Sequence, residues 1–396
     1  MKRILIDGRF IGVGDSISRY TLGIVEGILK LDKVNQYTLL VRPQAKSQIS
    51  NLKSQNYGNL SIKVLDIKHY SLGEQTALLY YLNKEKFDLV HFTQFNHPIY
   101  YNGKYVITIF DLTMVGHLHR QNIIKRLAFK TVMKSAVLDS QKIITSSNTT
   151  MDDVCDSYKV SNDKFSVIYL GVDHARFNAR IKNKELRIKQ FKEKYSIKDD
   201  YVLYTGMWKK HKNLIRMLLA FEEFLISNFE FRNKSQNTNV KMLQLVLVGK
   251  IDTKEPEVIN EIERINKSLA TSYQLPTAVI TTGFIEEEEL PISYAGAIAY
   301  CIPSLSEGFG WPPLEAMACG TPVISSKESC MPEVLGDAAL YFDAYDEKDI
   351  AKAIEKITND ARLRRDLVEK GYKQVKKYNW EQTAKETLEV YKSILD

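Results

Sequence analysis

Residues Ser304–Ser326 read SLSEGFGWPPLEAMACGTPVISS, and the architecture follows from them. Just before lies IAYCI (Ile298–Ile302), a short apolar run rich in strand formers, which predicts a buried strand. Pro312 and Pro313 suit the first turn of a helix, Leu314–Cys319 continue it, and Gly320 is placed to end it. Thr321–Ser325 returns to strand. The sequence is therefore strand, glycine-bearing loop, short helix, strand. In open α/β sheets, loops at the carboxyl ends of strands are where ligands bind.

Two carboxylates sit in this stretch, Glu307 in the loop and Glu315 in the first helical turn, eight positions apart (315 − 307). Gly308 and Gly310 between them let backbone approach a ligand closely, and amides at a helix start can face an anion. A carboxylate accepting from vicinal hydroxyls beside amide donors suits a sugar or a ribose. Glu315 alone would equally be an acid favoured by the helix dipole. The full string, EGFG followed by WPPLEAMACGTPV, resembles the E-x7-E signature of retaining GT-B glycosyltransferases of family 4.

The remaining properties agree with a large α/β protein. At 396 residues the chain exceeds what one core organises, so two domains are expected. Hydrophobic content of 44% and charged content of 26% are those of a globular protein, and no apolar run is long enough to span a bilayer. MKRILIDG at the start reads as a strand, not a signal peptide. Cys155, Cys301, Cys319 and Cys330 have neither CxxC nor zinc-ligand spacing, which fits buried thiols in a reducing compartment. A cytoplasmic location, at or near the inner face of the cell membrane, is the expectation. The net charge of +7 is uneven: residues 1–150 hold 20 Lys and Arg against 10 Asp and Glu, leaving −3 for the rest. A basic first half argues for an anionic partner there, and no nucleic-acid motif accompanies it.

Along the chain, Lys2–Asp7 predicts a first strand, followed by a loop with Gly8, Gly12 and Gly14 and a helix from about Arg19 to Leu31. This is no GxGxxG fingerprint, so a dinucleotide is not expected. Tyr37–Val41, Ile62–Leu65, Phe87–Phe92 and Tyr105–Phe110 read as further strands, which alternate with helical segments as in a doubly wound parallel sheet. Asp111 follows the last of these. It could orient an acceptor hydroxyl or simply cap the next turn. His91 and His97, near strand ends, could supply an imidazole or merely pack. Residues 117–138 mix Ile123, Ile124, Leu127 and Phe129 with Arg120, Lys125, Arg126, Lys130 and Lys134. They read as a basic amphipathic helix, lying either on an anionic membrane or over the sheet.

A second series of elements starts at Tyr201–Thr205 and Gly206. The loop that follows holds Lys209, Lys210, His211 and Lys212 just before a helix predicted over Leu214–Leu225, with Asn213 as its N-cap. Cations beside helix-start amides suit a pyrophosphate. Residues 229–241 read as an irregular polar loop, Leu243–Gly249 and Ala278–Thr282 as strands, and Glu286–Glu289 as a helix start.

The resemblance covers nearly the whole chain and carries several implications. It implies GT-B architecture: two Rossmann-like, doubly wound α/β domains facing a cleft. One would span 1–175 with a returning helix at about 380–396, the other 176–379. It implies that Lys212 stabilises the leaving diphosphate, and that Glu307 with Gly308, Phe309 and Gly310 holds hexose hydroxyls. Glu315 would bind the ribose, and backbone at Gly206 and Phe284 would seat the nucleotide. Gly14 stands in the loop that the family lays under the donor phosphates, and Phe110 stands where the family often has His. With no Asp-x-Asp in the sequence, a metal-independent, cofactor-free transfer is expected, and the resemblance implies anomeric retention. It would move a hexose from a GDP- or UDP-sugar to a glycan or lipid-linked acceptor in surface polysaccharide synthesis, in the style of bacterial mannosyltransferases. The alternative is a non-catalytic GT-B subunit that positions an active partner.

Overall fold

A computed structural model describes residues 1–13, 16–113, 122–235, 243–250 and 256–396. They form two compact units, Met1–Gly171 with Tyr378–Asp396, and Val172–Lys377.

In the first unit the apolar runs assemble into one seven-stranded sheet. Its strands are β1 (Arg3–Asp7), β2 (Gln36–Val41), β3 (Leu60–Val64), β4 (Leu89–Phe92), β5 (Tyr105–Ile109), β6 (Lys142–Thr145) and β7 (Phe165–Val167). They lie in the order β3-β2-β1-β4-β5-β6-β7, and all pairs are parallel. Every residue of β4 and β5 is buried, as expected of strands covered on both faces. Helix α1 (Ser16–Leu31) lies against the C-terminal helix Trp380–Leu395 at very short range. A Cβ built on Gly23 would meet the Trp380 ring at 2.4 Å, and one on Gly27 would meet Ala384 Cβ at 2.5 Å. Small residues set that approach.

Helix α2 (Ile123–Asp139) opens at Asn122, whose side chain accepts from the Lys125 amide at 2.9 Å. This revises the amphipathic reading of 117–138: residues 117–121 lie outside the described residues, and the helix has two apolar faces, not one. Met133, Ala136 and Val137 pack inward, whereas Ile123, Ile124 and Leu127 stay exposed.

The second unit repeats the strand order of the first. Its sheet runs β10-β9-β8-β11-β12-β13 and is wholly parallel. The strands are β8 (Asp200–Thr205), β9 (Leu243–Val248), β10 (Val279–Gly283), β11 (Ala299–Ile302), β12 (Val323–Ser326) and β13 (Ala339–Phe342). Each unit is thus Rossmann-like and doubly wound, the architecture that the GT-B resemblance implies. Helix α3 (Leu214–Ser235) buries Leu214, Met217, Leu218 and Phe221 against β8 and β9, while α4 (Trp311–Ala318) is the short helix after the glycine loop.

Three expectations need correction here. Residues 229–235 continue α3 and are no irregular loop; 236–241 lie outside the described residues. Asn213 does not cap α3 with its side chain. It takes a left-handed conformation, with φ of 58°, and its Nδ2 donates to the carbonyls of Pro303 (3.1 Å) and Ala344 (2.7 Å). The acids 286–289 form a turn before the helix Leu290–Ala295, where Glu287 pairs with Arg176 and Glu289 with Lys194. Partners in space, not the helix dipole alone, account for that run.

Candidate functional site

In the second sheet the winding direction reverses between β8 and β11. At such a switch point neighbouring loops leave on opposite sides and open a crevice at the strands' carboxyl ends. Gly206 follows β8 with φ of +149°, and a short turn over Lys210–Lys212 precedes α3. The loop after β11 comes alongside, and the amide of Leu305 donates to the carbonyl of His211 at 2.8 Å. Asn213 fastens the same two loops through Pro303.

The two fastened loops bring a cation and an acid together. Lys212 Nζ donates to Glu307 Oε1 at 2.7 Å, and the Ser304 hydroxyl donates to the same oxygen at 2.7 Å. The lysine and glutamate side chains are only 16% and 15% exposed. Ser329 and Cys330, which follow β12, grip the Glu307 backbone; Cys330 Sγ donates to the Glu307 carbonyl at 3.1 Å. Burial, followed by the Glu307 and Glu333 charges, raises the Cys330 thiol well above its usual range. It is therefore a thiol donor and no nucleophile.

Glu315 has different company. It is buried in α4, and its Oε2 accepts from the Tyr294 hydroxyl at 2.9 Å. Tyr294 lies 3.0 Å from the Thr205 hydroxyl, which donates to the Tyr300 hydroxyl at 3.3 Å. Burial is the main reason that the Tyr300 pKa rises; the charges of Glu307 and Glu315 push it the same way, against its hydrogen bond to Thr205. Both carboxylates therefore act on one hydroxyl at the end of the sheet.

Of the residues expected at a nucleotide-sugar site, Lys212 and Glu307 meet across adjacent loops, Gly206 begins the loop that ends at Lys212, and Gly308, Phe309 and Gly310 continue the Glu307 loop into α4. Phe309 is buried, and Gly310 has φ of +93°, with its place for a Cβ 2.6 Å from Met331 Cε. Phe284, just after β10, is 80% exposed. Gly14 lies outside the described residues. Asp111 belongs to the first unit, and its carboxylate accepts from the amide (2.8 Å) and the hydroxyl of Thr113, the turn-capping alternative. His91 and His97 are packed. His91 sits between the hydroxyls of Tyr391 (2.6 Å) and Thr108 (2.9 Å), and burial lowers its pKa to about 3. Sequence reasoning missed Ser304, Ser329, Tyr294 and Thr205. No spacing rule singles out an isolated hydroxyl, though Ser304 stood inside the decisive stretch.

Residues 187–374 match the model of glycosyl transferases group 1, and residues 56–176 match that of Glycosyltransferase Family 4. The group 1 match lies within the second unit, and the Family 4 match lies mostly within the first. The serotype-specific mannosyltransferase WbdA of Escherichia coli is 33% identical over 210 residues, which are 53% of this chain and 24% of WbdA. The O-antigen chain mannosyltransferase RfbU of Salmonella typhimurium is 29% identical over 251 residues, 63% of this chain and 60% of RfbU. The chain thus spans less than two thirds of the length of either relative. In fold it is similar to sucrose-phosphate synthase from Thermosynechococcus elongatus, with a TM-score of 0.73 at 19% identity over 100% of this chain and 99% of that one.

Proposed function

We propose that this glycosyltransferase moves a hexose, mannose being the first candidate, from a GDP- or UDP-sugar to a glycan or lipid-linked acceptor during surface polysaccharide synthesis. The transfer retains anomeric configuration and needs no metal or cofactor. The observation that carries this reading is the 2.7 Å contact between Lys212 and Glu307 at the switch point of the second sheet. The names of the relatives, a serotype-specific mannosyltransferase and an O-antigen chain mannosyltransferase, suggest the sugar and the setting.

The chemistry follows from donor counting. An ammonium has three N–H donors. One of those on Lys212 goes to Glu307, so two remain to meet diphosphate oxygens as the bond from anomeric carbon to phosphate breaks. Glu307 orients the ammonium beforehand, which removes the cost of ordering it during reaction. The same carboxylate then accepts from a hexose hydroxyl, while Glu315, steadied by Tyr294, takes the ribose hydroxyls. The loop amides from Gly308 to Gly310 lie along the sugar.

Single replacements alone test this poorly. Removing one member of a mostly buried pair leaves the other uncompensated and costs about 3–5 kcal/mol. The double variant Lys212→Met with Glu307→Leu removes both charges and should hold stability near that of the parent. Release of GDP or UDP from the matching sugar nucleotide, with acceptor, should fall by at least about a thousandfold in it. Parental turnover in a folded double variant would overturn the assignment. Donor binding by the parent chain without any release of nucleotide would point instead to a non-catalytic partner subunit.

A further inference from the structure

The first two turns of α2 present an apolar surface on which, among the described residues, no partner packs. Ile123 is 81% exposed, Ile124 76% and Leu127 67%. At about 100° per residue these three share one side of the helix, within an arc of about 100°. Met133, Ala136 and Val137, which the same helix buries, centre roughly 135° away from them. Phe129, packed against Phe95 at 5.0 Å between ring centroids, belongs to the inward side as well. Ordinary core packing therefore accounts for the second half of α2 and leaves the first half unexplained. Exposed large aliphatics clustered in this way mark an interaction surface.

Charge identifies the partner. Lys125, Arg126, Lys130 and Lys134 are all exposed, and no acidic residue occurs from Asn122 to Leu138. None of the four cations takes part in an ion pair among the described residues. Aliphatic side chains standing outward, flanked by uncompensated cations on one helix end, match an interface that is apolar beneath and anionic above. We propose that the Ile123–Leu127 end of α2 inserts into the headgroup region of an anionic lipid bilayer, with Arg126 and Lys130 held at the surface. The inference rests on α2 alone and is independent of the sugar-nucleotide reading of the other unit.

The test is co-sedimentation of the full chain with vesicles of phosphatidylcholine, with and without one-third phosphatidylglycerol. Binding to the anionic vesicles is expected, and it should weaken as salt rises. Replacing Arg126 and Lys130 by Gln should weaken it roughly 25-fold, near fivefold per cation. The pair Ile123→Ser and Leu127→Ser should weaken it by at least about tenfold. Thermal unfolding of each variant, unchanged from the parent, excludes misfolding as the cause, because all four side chains are exposed. Equal binding by parent and both variants would overturn the proposal. So would failure to bind vesicles together with self-association that the serine pair abolishes, which would make this end of α2 a protein interface.

Discussion

The Ser329 hydroxyl grips the backbone of Glu307 from both sides, accepting from its amide at 3.3 Å and donating to its carbonyl at 2.9 Å. Ser329 does so from a left-handed conformation, with φ of 55°, that an L-residue rarely adopts. Strain of this kind persists where the surroundings over-determine the backbone, and such positions cluster at functional sites. The side chain that leaves this clamped backbone is the one paired with Lys212.

Ser329→Ala removes both hydrogen bonds while keeping the chain's shape. Stability should fall by about 1–2 kcal/mol. Turnover should fall by roughly tenfold to a hundredfold, because a displaced Glu307 no longer orients Lys212. Ser329→Cys, which keeps a weaker donor without branching at Cβ, should recover part of that loss. Equal kcat in all three proteins would show that the clamp is structural only.

Tyr294→Phe leaves the packing around Glu315 intact but withdraws the hydroxyl donated to Oε2. A buried carboxylate deprived of one donor costs about 1.5–3 kcal/mol. Because Glu315 is assigned to the nucleotide's ribose, the kinetic effect should lie in the donor's KM, a rise of about tenfold, with kcat little changed. A KM equal to that of the parent would remove Glu315 from the donor site. Titration calorimetry with GDP and UDP gives the same answer without turnover.

His91 gives the first unit a pH dependence of known sign. Its folded pKa of about 3 lies below the value of about 6.5 expected when unfolded. The unfolded chain therefore binds the extra proton, and stability present above pH 6.5 is lost as pH falls from there toward 3. The slope is about 1.4 kcal/mol per pH unit, or about 2 kcal/mol between pH 6.5 and pH 5. His91→Gln should lose less stability than the parent over that interval, by about that amount, in urea unfolding followed at both pH values. Identical losses in the two proteins would mean that His91 is not the group responsible. His97 and His69, whose pKa values burial also lowers, contribute equally to both and cancel.

Much of this was legible in the sequence, and the parts that were not have a common cause. Apolar runs located the strands, because a strand buried on both faces has no polar positions to blur it. The glycines and paired prolines around Glu307 gave strand, loop, helix and strand in the right order, since φ restrictions act locally. Asn213 failed as a cap because its side chain serves two carbonyls in distant loops, at Pro303 and Ala344, and no local pattern reports such a partner. For the same reason the Tyr294 hydroxyl on Glu315 and the Ser329 clamp were invisible. Lys212 was singled out by the cations of its own loop, and Glu307 by the glycine-flanked string that carries the family resemblance. That they touch depends on β8 and β11 being neighbours in the sheet, which is a property of topology.

Gly249 tests whether the strand ends that carry the site must lie as close as they do. It follows β9 with φ of +145°, and a Cβ there would sit 2.1 Å from the Gly206 carbonyl oxygen, a backbone atom that cannot swing aside. Gly249→Ala should therefore push apart the ends of β8 and β9 and cost more than about 2 kcal/mol, conformational strain included. Because Gly206 begins the loop that ends at Lys212, affinity for the donor nucleotide should fall along with the melting temperature. Gly283→Ala is the matched control: φ there is +69°, but the added Cβ meets open space. It should cost only the strain of about 1–2 kcal/mol and leave nucleotide binding as in the parent. If both variants melted together and bound nucleotide equally, close approach of the strand ends would have no part in forming the site.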